Sequence, residues 1–213
     1  MKKYGIIAGV FAVIIVLLLI VLLIIGLSAG GGYNRLVSLS QNADSKWAQV
    51  ENDYQRRADL IPNLVATVSG AANFEKSTLV EVTEARASVG KVQINANSAP
   101  SDPNQLAQFD QAQQQLSSAL SHLMVVVEKY PNLTATENFR DLQAQLEGTE
   151  NRIAVARMDF NQAVQAYDTA IKSFPTVFFA GAMGFNPKPY FAAAPGAENA
   201  PKVQFNFNGN ATN

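Results

Sequence analysis

The chain has no cysteine. Disulfides, thiolate nucleophiles, zinc–cysteine centres and lipoprotein anchoring are therefore excluded together. Histidine is almost as scarce: His122 is the sole one, one residue off the apolar stripe formed by Leu120 and Leu123. With no second histidine and no EF-hand or acidic cluster, no metal site is expected. Serine chemistry needs a base beside the nucleophile, and a lone off-stripe histidine offers none. No catalytic residue and no cofactor are expected. Glu81 with Glu84, and Glu147 with Glu150, share helix faces and read as solvated helix charges.

An excess of positive charge is also lacking. Of 16 Lys and Arg against 17 Asp and Glu, only Lys2 and Lys3 fall in residues 1–27, which leaves 14 against 17 and a net charge of −3 beyond them. A faintly acidic domain without a basic stripe is no partner for nucleic acid, and it has no polybasic patch for a membrane surface.

What is abundant is one apolar run. Residues 5–27, GIIAGVFAVIIVLLLIVLLIIGL, are 23 residues without a charge. As a helix they reach ~34 Å, enough to cross a hydrocarbon core of ~30 Å with some tilt. The run is read as a transmembrane helix. The competing reading is a cleaved signal peptide, whose apolar region is ~7–15 residues long, with Ser28-Ala29-Gly30 as a weak cleavage site. Lys2 and Lys3 precede the run and the next basic residue is Arg35. The positive-inside rule then leaves residues 1–4 cytoplasmic and the rest extracytoplasmic, periplasmic or at the cell surface.

Gly30-Gly31-Gly32 reads as a flexible hinge, residues 28–32. From Tyr33 apolar residues step by three and four: Leu36, Leu39, Ala43, Trp47, Val50, Tyr54, Ala58, Ile61, Val65, Val68, Ala72. That is one stripe on a helix over 33–72. Pro62 predicts a kink, or a restart with Asp59 as N-cap. A second helix is expected over 74–90, a loop over 90–105, and a third helix over 104–130 with Leu106, Phe109, Ala112, Leu116, Leu120, Leu123, Val127 and Tyr130 as its stripe. Thr134 and Glu137 have the spacing of a capping box. The last helix, 137–174, carries Phe139, Leu142, Leu146, Thr149, Ile153, Ala156, Phe160, Ala163, Tyr167, Ile171 and Phe174 at coiled-coil spacing, and Pro175 stops it. The fold class expected is all-α: the transmembrane helix, then an antiparallel bundle over 33–175 of four helices, or three if the chain does not break near Gly70 to Asn73.

Two groups of side chains stand out. One is polar: Arg56, Arg57 and Asp59 on the first long helix with Glu150, Asn151 and Arg157 on the last, where residues 150, 157 and 161 share a face close to the core stripe. Arg57 and Glu150 are expected to pair across helices, Asn151 satisfying leftover donors, and so to fix register. Surface exposure of all these charges is the equal alternative. The second group, Phe174, Phe178, Phe179, Phe185, Tyr190 and Phe191, belongs to an apolar stretch too short to span a membrane. It reads as a cap on the bundle, with insertion into the lipid interface as the alternative. In the low-complexity tail within 176–213, Val203, Phe205 and Phe207 alternate and suit a short strand.

Several strings, in order along nearly the whole chain, resemble the LemA family of bacterial membrane proteins. They are Tyr33-Asn34-Arg35-Leu36-Val37, Arg56-Arg57-Ala58-Asp59-Leu60-Ile61-Pro62-Asn63-Leu64-Val65, Thr83-Glu84-Ala85-Arg86-Ala87, Glu128-Lys129-Tyr130-Pro131, Glu150-Asn151-Arg152-Ile153 and Phe174-Pro175, with Gly184-Phe185 and Tyr190-Phe191. The resemblance implies a single-pass anchor with an extracytoplasmic helical bundle and implies no catalytic activity or cofactor. The family is also similar to a magnetosome-membrane protein implicated in membrane invagination, and the tail beyond Ala193 departs from it. Long seams, an apolar patch and missing catalytic groups together suggest a self-associating, non-enzymatic scaffold or adaptor. Its expected partners are the lipid bilayer, further copies of itself and other membrane proteins. The rival expectation is a sensor or binding module acting through another membrane protein.

Overall fold

Apolar residues three and four apart are hidden from water only when helix packs on helix. The computed structural model describes residues 2–72, 74–92 and 98–192, with side chains at 14–17, 19 and from 30 onward. Among the described residues every regular element is helical: α1 (Lys2–Ser69), α2 (Lys76–Lys91), α3 (Pro103–Val127), the single turn α4 (Pro131–Thr134), α5 (Glu137–Lys172) and a 3-10 turn, Thr176–Phe178. The upper part of α1 pairs with α5, and α2 pairs with α3. The chain does break after Ser69, so among the described residues the bundle has four helices. The 36 residues of α5 span ~54 Å, which brings its end back to the level of Leu36 on α1.

Among the described residues no helical stretch is long and apolar enough to cross a membrane. The run 5–27 is helical along its backbone as part of α1, but most of its side chains lie outside the described residues. Val203, Phe205 and Phe207 lie outside them entirely.

The core forms three blocks. At the far end Ile61, Leu64, Val68, Val82, Leu116, Leu123, Phe139 and Leu146 meet. In the middle Trp47, Val50, Tyr54, Phe109, Ile153, Phe160 and Phe191 meet, the rings of Phe109 and Phe160 both edge-on to Trp47 at 5.5 and 5.4 Å. At the near end Leu36 packs with Tyr167, Ala170, Ile171 and Ala180.

Several expectations need correction. Gly30 to Gly32 are not a hinge, because α1 is helical straight through them. Glycine costs a helix about 1 kcal/mol each, but at Gly32 the missing Cβ makes room: one added there would stand 3.1 Å from Cζ of Phe179. Pro62 does not restart the helix, which is continuous to Ser69, and Asp59 accepts a bond from Gln55 Nε2 at 2.8 Å instead of capping. The cap of α5 is Thr136, whose Oγ1 accepts from Phe139 N at 3.4 Å. Thr134 ends α4, where its hydroxyl bonds back to Pro131 O. The stripe of α5 stops before Phe174, which is 82% exposed, because the helix ends at Lys172.

Two phenylalanines on one predicted stripe should therefore behave differently. Phe160→Ala is expected to cost roughly 3–5 kcal/mol, as for other buried aromatics. Phe174→Ala should stay within about 0.5 kcal/mol. Denaturant unfolding of the full chain, followed by circular dichroism, checks both.

Candidate functional site

A charged residue in an apolar seam between helices must find partners or destabilise it. On α1 the buried series Trp47, Val50, Tyr54, Ile61, Leu64 and Val68 has a gap that Arg57 fills, only 2% exposed. Its guanidinium lies between the middle and far core blocks. Arg57 Nη1 donates to Glu150 Oε1 at 2.7 Å and to Ser117 Oγ at 2.8 Å. Its Nη2 donates to Gln113 Oε1 and, at 3.3 Å, to the Gln113 carbonyl, and its charge stacks 5.0 Å from the centre of the Tyr54 ring. One cation so ties α1 to both α3 and α5. Glu150 stays half exposed, so its charge keeps contact with water while neutralising a buried one.

Asn151 takes no part. It is exposed, and Gln113 and Ser117 meet the donors expected to reach it. Arg56 and Asp59 are exposed on the opposite side of α1, as helix geometry requires for neighbours of an inward Arg57. Arg157 belongs to a second set: Nη1 meets Asp110 Oδ1 at 3.0 Å and Tyr54 Oη at 3.4 Å. Burial lifts the Tyr54 phenol above its ordinary range and nearby Asp110 adds to this, while Arg157 and Arg57 oppose it.

Arg157 and Asn161 also hold the chain that follows the bundle. Beyond Gly184, whose φ of 84° needs glycine, residues 185–192 run extended, back up α5. Asn161 donates to Phe191 O and accepts from Phe191 N, both at 3.0 Å. Asp168 accepts from Lys188 N at 3.1 Å, Lys188 Nζ reaches Asp44 at 3.2 Å, and Tyr167 Oη donates to Asn186 O at 3.0 Å. Arg157 lies 4.3 Å over the Phe191 ring. Burial raises the Tyr167 phenol as well, helped by Asp168 and Asp44.

This strap divides the apolar set. Phe191 is buried, stacked on Trp47. Phe185 leans edge-on against Tyr33 at 5.5 Å, and Phe179 packs over Gly32. Phe174, Phe178 and Tyr190 remain exposed.

Between α3 and α5 runs an open groove of about 640 Å³, lined by Arg57, Gln113, Ser117, Glu150 and Arg157. Of its charged groups Arg57 and Glu150 pair with each other, and Arg157 pairs with Asp110 behind it. His122 is exposed and meets Glu81 at 2.8 Å across α2 and α3. Two strings match hydrolase patterns by their letters alone, Gly26-Leu27-Ser28-Ala29-Gly30 and Ser88-Val89-Gly90-Lys91. The first is helical in α1, not a strand-to-helix elbow. In the second, Ser88 Oγ donates to Glu84 O of its own helix at 3.0 Å.

The LemA family model matches residues 46–205, well over half of the chain. The chain belongs to the LemA family. It is similar to the magnetosome protein MamQ 2 of Paramagnetospirillum magneticum, 26% identical over 185 residues that cover 78% of this chain and 66% of the relative. The magnetosome protein MamQ of Magnetospirillum gryphiswaldense matches with 25% identity over the same shares. This LemA-family chain thus spans 66% of the length of those relatives. Two of the family-like strings, Arg56 to Val65 and Glu150 to Ile153, are the ones that bring Arg57 and Glu150 together.

Two predictions follow from the polar layer. Glu150→Leu, which leaves Arg57 buried without its countercharge, should cost about 2–3 kcal/mol. Arg57→Leu with Glu150→Leu should return to within roughly 1 kcal/mol of the unmodified chain. A double-mutant cycle by denaturant unfolding measures the coupling, and simple additivity would contradict the pairing. For Tyr54 the folded state holds its proton more tightly than the unfolded state, so its stabilisation is complete below its ordinary value of 10.0 and is lost as pH rises past it. Tyr54→Phe should therefore flatten the alkaline fall in unfolding midpoint, read against the same variant at neutral pH.

Proposed function

We propose that this chain is a non-enzymatic scaffold anchored in a membrane by residues 5–27, with its bundle on the extracytoplasmic side, where it self-associates and organises membrane or partner proteins. The observation that carries this reading is the continuity of α1. Its backbone stays helical from Lys2 to Ser69, so an uncharged run of spanning length feeds without a joint into one edge of the bundle. A helix of 68 residues is ~100 Å long, far more than a small fold needs for its own core. In lipid an apolar helix satisfies all its backbone polar groups, and Lys2 and Lys3 favour a cytoplasmic N-terminus. The relatives' naming for magnetosomes is in keeping with an organising role.

The rival reading, a sensor or binding module that acts through another membrane protein, would use the groove between α3 and α5. It is the weaker reading because Arg57 and Glu150 in the groove already pair with each other and Arg157 is held by Asp110.

Alkaline carbonate should leave the full chain in the membrane pellet, while deletion of residues 5–27 should release it. Protease added from outside should reach a tag at the C-terminus and spare one at the N-terminus. Cross-linking in native membranes should yield discrete multimers. Release by carbonate would overturn the anchor, and a strictly monomeric species at native abundance would overturn the scaffold.

A further inference from the structure

At the end of the bundle where α1 enters, Phe174 and Phe178 are 82% and 79% exposed, with Val177 and Met183 also open beside them. The two rings touch edge-on at 6.0 Å, so they form one surface instead of two stray residues. In the same segment Phe191 is buried and Phe185 is partly covered against Tyr33, whereas the chain left these two outside. An apolar cluster kept outward at a fixed place on a fold marks an interaction surface.

Its height is fixed by the packing of Phe179 over Gly32. Gly32 is five residues past Leu27, the end of the apolar run, or ~7.5 Å along the helix axis. The interfacial zone between hydrocarbon and water is ~5–8 Å deep on each side of a bilayer. The rings therefore stand at interfacial depth when residues 5–27 span the hydrocarbon. Charge agrees with that placement. Residues 28–43 carry Arg35 alone, and residues 169–192 carry Lys172 and Lys188 alone, with no carboxylate in either stretch. The two nearest carboxylates, Asp168 and Asp44, are paired with Lys172 and Lys188. A phosphate-rich surface meets no acidic group from these two stretches.

We propose that Phe174 and Phe178, with Val177 and Met183, are a second membrane contact. They enter the headgroup region of the leaflet from which α1 emerges, and with the anchor they give the bundle a two-point seat on the lipid. The proposal rests on the anchored reading above. A single helix leaves a domain free to tilt about its point of emergence. A pair of aromatic side chains at the rim, where such rings are favoured, restricts that tilt and holds the long axis of α5 at a set angle to the bilayer.

The single tryptophan, Trp47, is fully buried in the middle block and serves as an internal reference. The full chain and its Phe174→Trp, Phe178→Trp and Met158→Trp variants would be reconstituted in phosphatidylcholine vesicles with and without bromine on the acyl chains. All three substitutions fall on exposed positions. Emission added by Phe174→Trp and Phe178→Trp should fall roughly two-fold or more in brominated lipid, as for an interfacial ring. Emission added by Met158→Trp, and that of Trp47, should not change. Absence of quenching at 174 and 178 in protein that still resists carbonate would overturn the second contact and leave the anchor standing, whereas release by carbonate would remove the anchor itself. Protection of those two positions that depends on the protein-to-lipid ratio without bromine quenching would assign the patch to a second copy and overturn the proposal. Equal quenching at 158 would overturn it as well, since the bundle would then lie flat.

Discussion

The rest of the bundle depends on one buried cation. Arg57 occupies a seam position between two apolar blocks and meets Glu150, Ser117 and Gln113 from two other helices. Apolar seams alone specify register weakly, because a shift by one heptad presents a similar stripe again. A buried guanidinium does not tolerate that shift: sliding α5 by one turn would remove its countercharge and leave a charge in a low-dielectric interior. The free-energy gain from the pair itself is modest. Its effect is to raise the alternatives.

The sequence pattern made most of the bundle legible, and its failures share a cause. On α5 the stripe from Phe139 to Ile171 is the buried face, since water exclusion follows helical period and little else. On α1 a search restricted to apolar residues steps from Tyr54 to Ala58, although alternation of three and four points to Arg57. The expected Arg57–Glu150 pair is there, but the premise that a stripe is apolar set Arg57 beside the seam instead of in it. The Thr134–Glu137 spacing fits a capping box, yet α4 claims Thr134 and leaves the cap to Thr136. Local signals of that kind are decided by whichever helix forms around them.

The strap shows where sequence reasoning stops for a different reason. Nothing periodic marks residues 185–192, and their bonds are almost all between side chains of the bundle and backbone of the strap, as at Asn161 and Asp168. Backbone partners carry no residue identity, so they leave no pattern in the strap itself. The trace is on α5, where Arg157 and Asn161 sit beside the core stripe with Glu150 further along the same face. That face is polar because two different structures lie against it: the α3 edge at Glu150 and the strap at Asn161, with Arg157 meeting both.

Register and height above the membrane are then one requirement. On the proposed topology α1 sets a vertical scale, and every exposed ring at the base is placed on that scale through α5. A slip of a single turn moves α5 by ~5.4 Å, most of the depth of the interfacial zone. Phe174 and Phe178 would be carried up into water or down into hydrocarbon. Phe179 would lose the space left by Gly32 and Phe191 its place on Trp47. With that topology, a polar layer near the middle of the bundle, far from the lipid, would control whether its base fits the membrane surface. An ion pair with little net effect on stability would then be indispensable to the seating of the whole molecule.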